Sequence, residues 1–226
     1  MINEICCVIP VKKNSRRLKN KNFLMINKKS LFEIALKKSI NSKLFRKIYV
    51  SSDNLKLKKF NQKGVEFIKR PKKLSKDPAT ITDVMVDICI KQKLIQNNFK
   101  ILVIISVTNP FFSKSDLVRS IQIFKKSNFE GLLSVSKNHK PPFNAWMIRR
   151  KRLIPVFRNS KYKFAKSTEC PETFFSNGAI RIVKIKEFMK KKSFHDLNLT
   201  YFQMKNEKSI DIDTKFDYTI AKKIKE

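Results

Sequence analysis

The stretch "KILVIIS", Lys100–Ser106, is the most apolar run in the chain. Branched aliphatics that follow one another without a polar alternation indicate a strand buried on both faces. Such a strand sits in the middle of a parallel sheet, where helices make the crossover connections. The flanking sequence has that rhythm. "EICCVIP" (4–10), "RKIYVS" (46–51), Val65–Ile68, "EGLLSVS" (130–136), "NGAIRIVK" (177–184), "LTYFQM" (199–204) and "SIDID" (209–213) read as further strands. Helices are expected at 30–42, 54–63, Thr82–Gln96, Ser113–Lys126, near 186–192 and from about Thr214. Two of them open on N-terminal signatures, a Ser30–Glu33 capping box and another S-x-x-D start at Ser113. The fold class is therefore α/β, a Rossmann-like domain with a mostly parallel sheet covered on both faces. One domain is expected over residues 1–226. The rhythm breaks only at 137–170, where Pro141, Pro142 and Pro155 interrupt short basic pieces, so this segment reads as an inserted arm.

Composition excludes several classes. The 226 residues are 42% hydrophobic, which suits a packed core rather than disorder. No apolar run reaches the length of a membrane span, and the apolar run at the N-terminus is short and stops at Pro10. The chain reads as cytoplasmic. The four cysteines (Cys6, Cys7, Cys89, Cys170) lack metal-ligand spacing and read as thiols, mostly buried. With only His139 and His195, neither a zinc site nor a His-based triad is expected. The net charge of +33 attracts polyanions of any kind. Only ten of the 51 basic residues are Arg, however, and they are spread along the chain, unlike the Arg-led surfaces that read nucleic acid. Nucleic acid is expected only as an unspecific polyanion, since a codon bias toward A and T, which yields Lys, Asn and Ile, would give the charge without any function.

Open α/β sheets bind ligands beyond the carboxyl ends of their strands. Three polar segments fall there: 11–22, 51–54 and 106–109. The first, "VKKNSRRLKNKN", has the cations and turn residues of a phosphate cradle, but a solvated basic loop has the same composition. It is neither a P-loop nor a dinucleotide fingerprint, since the chain holds only Gly64, Gly131 and Gly178. Asp211 and Asp213 would share one face of a strand, where a divalent cation or nearby lysines would have to offset their repulsion. Asp213 serving simply as the cap of the last helix is the competing reading. "SNGAI" at 176–180 places a glycine before a strand, either for a tight turn or for close approach of backbone to ligand.

The order of these pieces resembles the acylneuraminate cytidylyltransferase family, which activates sialic acids and related nonulosonic acids as CMP-sugars. The opening signature of that family, I-P-A-R-x-G-S-K with a later K-N, is matched by Ile9, Pro10, Ser15, Lys21 and Asn22. "VSSDN" (50–54), "RP" (70–71), "DPAT" (77–80), "TNP" (108–110), "SNGAI" and "SIDIDTKFDYTIA" follow in order, so the resemblance spans nearly the whole chain. It implies a nucleotidyltransferase that takes CTP and Mg²⁺ and transfers CMP to an acid sugar. On that reading Lys12, Ser15, Arg16 and Lys21 hold the triphosphate, and Asn22, Arg70, Ala79 and Thr80 lie against the nucleotide. Ser106, Thr108, Asn109 and Asn177 face the acceptor. Asp211 and Asp213 hold the metal and, with Lys21, carry the catalysis. The 137–170 arm pairs two subunits into a homodimer.

The sequence also departs from the family pattern. Lys12 stands where the family has Arg, Asn14 where it has Gly and Arg16 where it has Lys. Ser106-Val107-Thr108-Asn109 replaces Gln-Pro-Thr-Ser, and Phe174 and Phe175 occupy the place of acceptor-binding arginines. Two alternatives stay open: a nucleotidyltransferase of the same fold for another sugar, and a degenerate relative that binds nucleotides or RNA without catalysis.

Overall fold

The computed structural model describes residues 2–224. β1 (Ile5–Val11) lies next to the middle strand of the sheet and is buried on both faces, as its unbroken apolar run requires. Cys7 and Ile9 point into one core layer, and Cys6 and Val8 into the other. The chain then moves outward through the small hairpin β2 (Met25–Ile26) and β3 (Lys29–Ser30), helix α1 (Leu31–Ser42), β4 (Lys47–Ser52) and β5 (Val65–Lys69). Helix α2 (Ile81–Lys91) brings it back, and β6 (Ile101–Ile105) pairs with the other edge of β1. Helix α3 (Lys114–Lys126) leads to β7 (Gly131–Lys137). After the arm come β10 (Phe174–Lys184), α4 (Ile185–Lys191), β11 (Leu199–Gln203) and α5 (Lys215–Lys223).

The main sheet has seven strands in the order β11-β7-β10-β6-β1-β4-β5. Six run parallel, and β10 runs against its neighbours β6 and β7. Since β4 and β6 leave β1 in opposite directions, the strand order reverses between β1 and β6, which is where such sheets open a crevice. Helices α1, α3 and α5 cover one face of the sheet and α2 and α4 the other, each over its own apolar layer. Both expected helix starts are present. The Ser30 hydroxyl accepts from Glu33 N–H, the Ser113 hydroxyl accepts from Asp116 N–H, and the acid reaches back in each case.

Three expectations are corrected, and one competing reading is excluded. Residues 54–63 do not form an α-helix. Leu55–Phe60 makes a short 3-10 turn in which only Leu57 is buried, because "LKLKKF" has no stripe at helical spacing to hold against the sheet. Helix α2 ends at Lys91 rather than Gln96, as the chain turns back to bury Leu94 and Phe99. "SIDID" joins no ladder. It runs extended beside the end of β6 through one backbone bond, Ile212 N–H donating to Thr108 C=O at 2.9 Å. Asp213 does not cap the last helix, since that place is taken by Thr214 with Asp217 in the box.

The arm forms its own ribbon, β8 (Trp146–Arg149) paired antiparallel with β9 (Arg152–Pro155). Arg150 and Lys151 close it, both at positive φ (49° and 63°). That backbone matches the twist of a two-residue hairpin, though it is usually supplied by Asn-Gly. Phe143 packs on Phe157 and Tyr162, with centroids 5.7 and 5.2 Å apart. The outer surface is left apolar, with Ile148 78%, Phe164 70% and Leu153 65% exposed.

Candidate active site

At the β1/β6 crevice lies a cavity of about 420 Å³. Its walls come from Pro10 and Ile104 at the strand ends, the loop 11–22, the segment 70–84, residues 106–108, Arg181 and the two aspartates. Five cationic side chains (Lys12, Arg17, Lys21, Arg70, Arg181) face two carboxylates, Asp211 and Asp213. The excess of positive charge suits a polyanionic ligand.

The loop after β1 is tied down at two points, although most of its side chains stay exposed. Asn22 is 6% exposed, and its Nδ2 donates to Lys12 C=O at 2.8 Å. Lys13 N–H donates to Asp53 Oδ1 at 2.7 Å, tying the loop to the end of β4. Lys21 is thereby turned into the cavity, where its Nζ pairs with Asp213 Oδ1. Arg17 reaches the other oxygen of the same carboxylate at 2.5 Å. Arg17 was not among the expected site residues, because the five other cations of the 11–22 loop look like it in sequence and only the turn selects it. Ser15 and Arg16 face a neighbouring concavity with Asn14, Asp53 and Asp77, and Arg16 pairs with Asp77. Lys12 lies between the two hollows and lines both.

Arg70 is 6% exposed and held by Ser51, its Nη2 donating to the Ser51 carbonyl at 2.8 Å and its Nε to Oγ at 3.3 Å. Burial lowers its pKa below the usual arginine range, partly offset by Asp53 and Asp87. Ala79 and Thr80 line the cavity where α2 begins, and Thr80 caps that helix in a box with Asp83. The helix N-terminus thus turns its positive end toward the hollow. Ser106 and Thr108 also line it, their hydroxyls 3.0 Å apart.

Asn109 and Asn177 lie behind the wall. Asn177 is 4% exposed and spends all its hydrogen-bonding capacity inside: Nδ2 donates to Ser136 and Ser209 (2.9 and 3.0 Å), and Oδ1 accepts from Ser134 Oγ and Ala179 N–H (2.5 and 3.1 Å). Asn109 donates to the carbonyls of Asn177 and Ile210, and its buried Oδ1 has no partner among the described residues. Both amides therefore brace β7, β10 and the 209–213 segment against each other, and neither lines the cavity.

Asp211 and Asp213 do share a face, because the extended segment buries Ile210 and Ile212 in the core layer and turns the acids into the cavity. Asp213 is compensated by Lys21 and Arg17. Asp211 is open to the cavity but crowded by protein, and that crowding pushes its carboxyl above the usual range against the hydrogen bond from Thr108; the Asp213 charge adds to the rise. Among the described residues no third Asp, Glu, His or Cys joins them. Mg²⁺ is commonly held by one or two carboxylates, with substrate phosphates and water filling the remaining positions. An accessible, incompletely compensated carboxylate beside a second one fits that requirement.

The sequence model of the family described as "Cytidylyltransferase" matches residues 6–226. The chain is 25% identical over 224 residues to post-translational flagellin modification protein B of Campylobacter coli, covering 97% of this chain and 94% of that protein. It is 24% identical over 224 residues to the N-acylneuraminate cytidylyltransferase of Escherichia coli O18:K1:H7, covering 98% of this chain but 52% of that one. The chain thus spans about half the length of the N-acylneuraminate cytidylyltransferases it matches. Among solved structures, a CMP:2-keto-3-deoxy-manno-octonic acid synthetase complexed with CTP superposes with a TM-score of 0.68 at 14% identity, covering 98% of this chain and all of that one. Among the described residues no helix is long and apolar enough to cross a membrane.

Proposed function

Because the chain belongs to the cytidylyltransferase family, we propose that it transfers CMP from CTP to a nonulosonic-type acid sugar and releases pyrophosphate. The observation that carries this reading is the cavity itself. Arg17 and Lys21 converge on the carboxylate pair at the topological switch point, and Lys12, Arg70, Ala79 and Thr80 line the same cavity. A triphosphate lying along the 11–22 loop has its charge met by side chains already held in place, which is where most of the rate gain in phosphoryl and nucleotidyl transfer arises. The sugar's anomeric hydroxyl attacks the α-phosphorus, the bond to the β-phosphate oxygen breaks, and pyrophosphate leaves. Lys21 and Arg17 meet the charge that collects on the departing phosphates. Asp211 and Asp213 are the residues that would hold Mg²⁺, which supplies further neutralisation of phosphate charge when bound.

The arm's exposed apolar ribbon suits a second copy of the chain, and a homodimer paired through 137–170 is part of the proposal. Cytoplasmic CTP is the matching nucleotide supply.

The test is pyrophosphate release by purified protein with CTP, Mg²⁺ and a panel containing N-acetylneuraminate and 2-keto-3-deoxy-manno-octonate. Turnover with one acid sugar is expected, together with a melting-temperature rise from CTP that exceeds those from ATP and GTP. Equal shifts with every triphosphate, fading with salt, would identify unspecific polyanion binding instead.

A further inference from the structure

Most cations around the cavity already have a protein partner. Arg17 and Lys21 are paired with Asp213, and Arg70 is tied to Ser51. Arg181, which lines the cavity near Asp211, differs from these three. Among the described residues its guanidinium makes no hydrogen bond and no ion pair, although it is half-buried and lines the cavity. Burial lowers its pKa below the usual arginine range, with the Asp211 charge acting against that shift from beyond ion-pair distance.

The backbone is shaped to deliver it. In the β10–β7 pairing, Ser176 lies opposite Val135 and Arg181 opposite Leu133, so β10 carries an irregular bulge between them. Bulges re-aim side chains beside functional clefts. Gly178 sits in this bulge at φ +74°, and a Cβ there would lie 3.7 Å from Arg181 Nη2. That spacing is ordinary van der Waals contact, so it is the positive φ of the bulge that calls for glycine here. On its other side Phe194 stacks beneath it, the ring centroid 6.0 Å from Cζ. The side chain is thus held in position while its five N–H donors stay unused. A cation kept in that state marks a place for an anion brought by a ligand.

The proposed reaction brings two anionic groups. The triphosphate has the 11–22 loop. The acceptor carboxylate has no cation at Phe174 and Phe175, which are 38% and 45% exposed at the start of β10. We propose that Arg181 binds the carboxylate of the acceptor sugar and so selects acid sugars over neutral ones. This rests on the functional reading above and specifies how its second substrate is recognised.

The test compares wild type, Arg181→Met and Arg181→Lys with N-acetylneuraminate, its methyl ester and 2-keto-3-deoxy-manno-octonate. Loss of one partner of a desolvated charge pair raises the KM for the acid on the order of 10²-fold in Arg181→Met. The KM for CTP should stay within about threefold, the pattern of a lost contact to one substrate only. The preference for acid over ester should collapse. Arg181→Lys keeps the charge without the fork and should recover part of that preference. A preserved CTP-induced melting shift certifies folding, and Arg181→Gln serves if the Met variant fails that check. An unchanged acid-over-ester preference in Arg181→Met, or a loss of CTP affinity in place of sugar affinity, overturns the assignment while leaving the reaction standing. Wild-type protein that transfers CMP to no acid sugar overturns both.

Discussion

Asn22 and Arg70, beside the cavity, are each 6% exposed, whereas Ile148, on the arm, is 78% exposed. The first two are polar residues placed inside, and the third is an aliphatic placed outside. Each is costly where it stands unless something compensates. In the cavity the compensation is visible: Lys12 C=O for Asn22 and Ser51 for Arg70. On the arm Ile148, Leu153 and Phe164 stay largely exposed among the described residues, the kind of apolar surface expected of an interaction site. The cavity's polar residues are therefore compensated within the chain, whereas the arm's apolar ones stay exposed, which is what the proposed homodimer would cover.

The largest effect should come from breaking the cavity's charge pairing. Asp213→Asn and Lys21→Met each remove one charge of the pair facing the triphosphate. Pyrophosphate release should fall on the order of 10²-fold or more, the scale for losing one transition-state charge partner. Melting temperature should move little, because Asp213 is not the helix cap. Asp217→Ala supplies the contrast. Its carboxylate accepts from Thr214 N–H at 2.7 Å and Thr214 Oγ1 at 2.8 Å, so its loss should cost about 1 kcal/mol of stability. Steady-state turnover and thermal melts on the three variants decide this. Full activity in Asp213→Asn would remove the pair from the catalytic machinery.

These contrasts also show what the sequence can reveal. The buried strands were legible because "EICCVIP" and "KILVIIS" leave no polar face to water. The capping boxes at Ser30 and Ser113 were legible because a cap is a local bond between residues three apart. That Asp211 and Asp213 share a face was legible from alternation alone, even though no ladder forms there. Partners fixed by tertiary packing were not. Nothing local distinguishes Arg17 from Arg16, yet one meets Asp213 and the other Asp77. Asn177 was placed beside the acceptor only by the family resemblance, and its burial among Ser134, Ser136 and Ser209 depends on segments distant in sequence. Arg181 was read only as part of a strand, since the bulge that aims it arises from pairing with β7. The hairpin in the arm was hidden because Arg150-Lys151 lacks the glycine or asparagine that usually signals its turn.

The arm gives the next effect in size. Ile148→Asp places a charge at the centre of its apolar ribbon. In a dimer formed there, truncating or charging a central anchor costs about 2 kcal/mol or more, roughly a 30-fold rise in the dimer dissociation constant. Light scattering across a dilution series should show dimers of the wild type and earlier dissociation of the variant, and deletion of 137–170 should leave a monomer. Wild-type protein that is monomeric at micromolar concentration would return the ribbon to the status of a loop folded on its own chain.

The smallest effect tests how the floor of the cavity is anchored. Asp116 opens α3 and is 6% exposed. Burial alone would raise its carboxyl, but the Ser113 hydroxyl and amide and the Lys208 ammonium together hold it below the usual range. Lys208 lies just before the segment that carries Asp211, and its Nζ is 3.2 Å from Asp116 Oδ2. A carboxyl whose folded pKa is depressed contributes stability that is present above its unfolded value, about 3.9, and lost as pH falls through the lower folded value. Asp116→Asn keeps an acceptor for Ser113 and removes the charge that meets the helix N-terminus and Lys208. At pH 7 it should cost about 0.5–1 kcal/mol, a fall of roughly 2–4 °C per kcal/mol for a chain of this size. As pH drops through the folded carboxyl's range, the wild type becomes protonated and loses the same contribution, so the two melting curves should converge. A gap that persists unchanged in acid would mean that Asp116 acts through shape and hydrogen bonding alone, and that its charge does not tether Lys208 to α3.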